Sequence, residues 1–116
     1  MKRFTSILFL LTIALPAGAA DTSDMVLTEI KVMGHLNGQA LACSNHVVAA
    51  KIKALMIKLS PKSRLYGEAF ETATNDGFLT QTRNEQAVCQ DGPLLTKQME
   101  EEAERLQSAL MAAAPK

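Results

Sequence analysis

Apolar positions recur three and four residues apart along most of the chain, the spacing that lines one face of a helix. Val26, Leu27, Ile30, Met33, Leu36 or Asn37, Ala40 and Leu41 form the first such series. Thr22, Ser23 and Asp24 stand before it as N-cap residues, so the spacing predicts a helix of about 19 residues with Cys43 at its end. Ser44 and Asn45 favour caps over helix interiors. Val47, Val48, Ile52, Leu55, Met56 and Leu59 then make a second stripe, with Lys51, Lys53 and Lys58 on the other side. The reading is a second amphipathic helix of about 14 residues; its alternative is one continuous helix across Cys43.

Ser60-Pro61-Lys62-Ser63 closes that helix, because Pro61 removes a donor from a helix interior but suits the first position of the next one. The third helix carries Leu65, Tyr66, Ala69, Phe70 and Ala73 on one face. Thr74-Asn75-Asp76-Gly77 is poor helix material and predicts a kink or a break. A helix that resumed there would cross the polar stretch 80–86 and reach Val88 and Cys89. Gln90-Asp91-Gly92-Pro93 is a stop-and-start signal. In the fourth helix Leu95, Met99, Ala103, Leu106 and Leu110 share a face, and Glu100, Glu101, Glu102 and Glu104 fall mainly opposite. Glu101 precedes Arg105 by four, the spacing of a helical ion pair, and 112–116 is expected to fray. No stretch alternates with period two. The fold class expected is all-α, an antiparallel bundle of about four helices. Gly34 and Gly38, four apart in the first helix, are read as a site of close helix packing inside the domain.

The first twenty residues change the picture of compartment. Met1-Lys2-Arg3, an apolar run from Phe4 to Leu15, and Pro16-Ala17-Gly18-Ala19-Ala20 before Asp21 have the layout of a secretory signal peptide. The run is about a dozen residues, short of the roughly 20 that span a bilayer. The expected division is a signal peptide over 1–20 and one helical domain over 21–116, exported to the periplasm, with no membrane span in the mature chain. The whole chain has 12 basic and 12 acidic side chains, and two of the bases, Lys2 and Arg3, lie in the leader. A mature charge of about −2 gives no electrostatic reason to bind nucleic acid or an anionic membrane. With no Trp and one Tyr, and two of the four Phe in the leader, the core must be aliphatic.

Export also bears on Cys43 and Cys89, the only cysteines. In an oxidising compartment two cysteines are expected to pair, and closing a loop of about 46 residues is worth about 4 kcal/mol on chain entropy. If the helices run up, down, up, the ends of the first and third meet, and those ends hold the two cysteines. Free thiols for redox or metal chemistry are the alternative, without a Cys-x-x-Cys to support it.

Candidate chemistry is sparse. His46 follows Cys43 by three, which is ligand spacing on a helix, but His35 and His46 are the only histidines and a metal site needs three or four convergent ligands. Met25, Met33, Met56, Met99 and Met111 are soft ligands in principle, yet Met33, Met56 and Met99 fall on apolar stripes, where packing explains them. Ser44 and His46 point to different helix faces, and Glu68, Glu71 and the Glu100–Glu104 cluster read as solvated surface. No catalytic residue, metal site or cofactor is assigned, and the chain is not read as an enzyme. The candidate interface residues are Phe78 and Leu79, with Glu100, Glu101 and Glu104. On an unbroken third helix Phe78 projects towards solvent as an interface anchor; a break at 75–77 turns it inward, which is the preferred of the two orientations.

Gly38-Gln39-Ala40-Leu41-Ala42-Cys43, a helix ending near Pro61, an aromatic-bearing helix around Phe70-Glu71-Thr72-Ala73, then Cys89 and an amphipathic last helix together resemble small proteobacterial periplasmic two-cysteine proteins. One such group is an uncharacterised helical family, and another is the immunity proteins against type VI secreted amidases. The cysteine spacing is also similar to that of periplasmic acid-stress chaperones, although Ala42 stands where those have tryptophan. The resemblance implies a protein that acts by binding an unidentified periplasmic protein, as an immunity, chaperone or envelope-complex accessory protein. The alternative is a carrier of a small ligand or metal.

Overall fold

A computed structural model describes residues 19–114, with side chains from Thr22 onward. The leader expected over 1–20 lies almost wholly outside these residues. Four helices follow one another: α1 Ala19–Ala42, α2 His46–Leu59, α3 Arg64–Arg83 and α4 Gly92–Ala113. The all-α bundle expected from the periodicity is the fold.

The helix ends show where local chemistry prevails. α1 begins ahead of Thr22, Ser23 and Asp24, so these are interior positions and not caps; the Thr28 hydroxyl donates to the Asp24 carbonyl at 2.8 Å. At the other end Ser44 N–H donates to Leu41 O at 3.1 Å and Asn45 N–H to Ala40 O at 2.8 Å, with Ser44 at φ 56°. This is the Schellman arrangement, with serine in the left-handed position glycine usually holds. Asn45 then caps α2 by accepting from Val48 N–H at 3.1 Å. Together they stop α1 and restart the chain within three residues, so the continuous alternative is excluded. Ser63 caps α3 by accepting from Tyr66 N–H, which leaves Pro61 in the turn and not at the first helical position. Asp91 caps α4, accepting from Leu94 N–H at 2.8 Å, with Pro93 in the first turn.

Two expectations about α3 are corrected. It runs unbroken through Asn75-Asp76-Gly77, and it ends at Arg83, so Cys89 lies in the connection to α4 and not on a helix. The first follows from packing, because Gly77 is buried against α1 and its missing side chain is what permits the contact. A Cβ on Gly77 would overlap the His35 carbonyl, and one on Gly38 would overlap the Thr74 carbonyl. One on Gly34 would lie 2.7 Å from Phe70 O and 2.8 Å from the Ala73 Cβ. The expected close approach is thus real, and Asn37 seals it by donating to the Thr74 hydroxyl at 3.2 Å, which itself donates to Phe70 O.

The pairing of Gly34 with Phe70 and Ala73, and of Gly38 with Thr74 and Gly77, makes α1 and α3 parallel. Gly92 sits beside the Asn45 side chain, which puts the starts of α2 and α4 together. Directions therefore alternate up, down, up, down. The layout is not square, however: α1 is central, α2 and α4 pack on it and on each other, and the backbone of α3 approaches α1 alone. The core is aliphatic, as composition requires. Val26, Ile30, Met33, Leu36 and Ala40 of α1 meet Val48, Ala49, Ile52 and Met56 of α2 and Leu95, Met99, Leu106 and Ala109 of α4. The Cys43–Cys89 disulfide ties the α1–α2 turn to the α3–α4 connection, with Cα atoms 5.7 Å apart. The expected tail differs slightly, since Ala112 and Ala113 remain in α4.

Candidate binding groove between two helices

Because α3 rests on α1 through glycine and alanine, it is drawn down onto α1 and held clear of α2. The space between α2 and α3 is a groove of about 690 Å³. Asn37 and Leu41 of α1 form its floor, Ala49, Ala50 and Lys53 one wall, and Phe70, Thr74 and Phe78 the other. A shallower extension of about 290 Å³ shares Lys53 and Phe70 and continues past Ile57 to Gly67 and the Pro61 turn. Each wall is one helix face, read at three- and four-residue spacing.

Phe78 is 39% exposed and lines this groove. The inward orientation preferred from sequence is corrected, for the physical reason that α3 does not break. Leu79 is half-buried on the far side of α3, beside Asp76, Thr80 and Arg83. Glu100, Glu101 and Glu104 are exposed on α4, whose backbone does not approach α3, so the fold does not bring the two sets of candidate residues together. Met33, Met56 and Met99 are buried in the core. His46 stands at the rim of the groove, and His35 is packed along its backbone on Gly77. Among the described residues no three His, Cys, Asp or Glu side chains converge, and no helix is long and apolar enough to cross a membrane.

Glu102 is the residue that sequence reasoning placed wrongly. It is 1% exposed, between α4 and α1. The buried positions of α4 are Leu95, Met99, Glu102, Leu106 and Ala109, a strict four-three-four-three seam; following that period, and not the nearest apolar residue, would have exposed a glutamate in the core. Arg105 turns to it instead of to Glu101, donating to Glu102 Oε2 from Nε at 2.9 Å and Nη2 at 2.8 Å, and also faces Glu29 at 3.9 Å. Glu101 pairs with Lys97. Burial pushes the Glu102 carboxyl up to about 7, the adjoining Glu29 carboxyl adds to the rise, and Arg105 opposes it. Glu102 Oε1 is buried with no hydrogen-bond partner.

Comparison with protein-family models, with curated proteins and with solved structures finds no match for this chain.

Proposed function

We propose that this is an exported periplasmic protein that acts by binding another protein, in the manner of an immunity, chaperone or envelope-complex accessory protein, through the groove between α2 and α3. The observation that carries the reading is the groove itself. Two aromatic side chains, Phe78 exposed and Phe70 partly buried against the core, face small residues across a cleft whose helices stand apart, and aromatic anchors in concave sites are where binding energy concentrates. The leader-like 1–20 and the disulfide are both compatible with export. A photo-crosslinking residue in place of Phe78 in the exported protein should give a discrete protein adduct in intact cells. The same residue in place of Gln107, exposed on α4, should not. Adducts from Gln107 alone, or from neither position, would overturn the assignment.

A further inference from the structure

The α2 side of the groove is basic. α2 contains His46, Lys51, Lys53 and Lys58 and no acidic residue. Among the described residues the ion pairs are Arg64–Glu68, Lys97–Glu101, and Arg105 with Glu29 and Glu102; none uses a cation of α2. Lys53 stands inside the groove and His46 at its rim, while Glu71 is the one acid among the residues lining the opposite wall. Beside this basic edge α2 leaves an apolar lip: Val47 is 66% exposed and Ile57 61%, with Ala50 and Ala54 exposed between them. Positions 47, 50, 54 and 57 are spaced three, four and three, the interval at which a second helix is met.

The shape agrees with the charge. Along α3 the groove runs from Gly67 to Phe78, about three helical turns. Ala49, Ala50 and Gly67 admit a backbone closely, and the two phenyl rings face an incoming apolar ridge. A flat bilayer surface would touch the lips and leave the concave floor uncovered, which disfavours a lipid occupant despite the basic edge.

We infer that the groove receives an amphipathic helix of a partner protein, its apolar ridge against Phe70 and Phe78 and its acidic flank along Lys53 and His46. This rests on the protein-binding reading above and adds the class of partner. The test uses two fluorescent model helices of about four turns, each with a leucine ridge at i, i+3, i+4 and i+7, one flanked by glutamate and the other by lysine. By anisotropy at low salt the glutamate-flanked helix should bind at least about tenfold more tightly. Lys53→Glu should abolish that preference, Phe78→Ser should weaken the glutamate-flanked helix, and Gln107→Ala should change neither. Amide shifts should concentrate at Ala50, Lys53, Phe70 and Phe78. Far-ultraviolet circular dichroism establishes that each variant is folded, and all these substitutions are at exposed positions. Equal affinities, binding of neither helix, or shifts outside the groove would overturn the inference. So would binding to phosphatidylglycerol vesicles in place of the helices, or a homodimer in light scattering that Lys53→Glu dissociates. Adducts from position 78 combined with no preference for the acidic helix would leave the groove as a protein site and remove only the class of occupant.

Discussion

A glutamate in an aliphatic core is costly to ionise, and Glu102 lies among Leu95, Met99 and Leu106 on the buried face of α4. Its pKa is raised from 4.5 to about 7 by burial and by Glu29, against the pull of Arg105. The folded protein therefore holds more protons than the unfolded chain between those values. This contribution to stability is complete below about pH 4.5, is lost as pH rises towards 7, and is absent above that. Urea denaturation should find the protein less stable at pH 8 than at pH 5, and Glu102→Gln, which keeps an acceptor for Arg105 without the charge, should remove most of the difference. A wild type whose stability rises over that range would contradict the assignment. Asn45 is a cap that its chemistry announces, whereas Thr22, Ser23 and Asp24 share that chemistry and lie inside α1, and Glu102 looked like surface because charged residues usually are. Ser44 signalled a stop as a poor helix former, but its left-handed conformation needed the structure.

Between elements, the seam of α1 and α3 decides the layout. Gly34 and Gly38 announced close packing in the sequence, while Gly77 announced a break, and both belong to one contact. Local propensity disfavours glycine in a helix by about 1 kcal/mol, and only the partner helix reveals why it is kept. Gly38→Ala should destabilise the protein by about 1–3 kcal/mol, because the gain in propensity is outweighed by overlap with the α3 backbone. It should also speed amide exchange in α3 more than in α4, since the α3 backbone approaches α1 and no other helix. Gly67, which has nothing within 4 Å of an added Cβ, is the control: Gly67→Ala should stabilise by about 0.5–1 kcal/mol. Equal effects from the two substitutions would mean that the seam is not the determinant. That α2 and α3 stand apart could not be read from either helix, because periodicity identifies a buried face without saying which neighbour covers it.

The whole molecule is a three-helix core of α1, α2 and α4 with α3 attached on α1 and tied at one end by Cys43–Cys89. The four-helix order, the aliphatic core and the cysteine pairing followed from pattern and topology. The groove did not, because it depends on α3 sinking onto glycines. Only four phenylalanines occur in the chain, Phe4 and Phe9 in the expected leader and Phe70 and Phe78 in the groove. Fluorophenylalanine labelling of residues 21–116, expressed without the expected leader, therefore gives fluorine spectra that report on the groove alone. Two resonances are expected, with Phe78 showing a clear solvent isotope shift between H2O and D2O and both moving on addition of the glutamate-flanked helix. A Phe78 resonance without an isotope shift, or two resonances indifferent to that helix, would contradict an open groove that binds a partner.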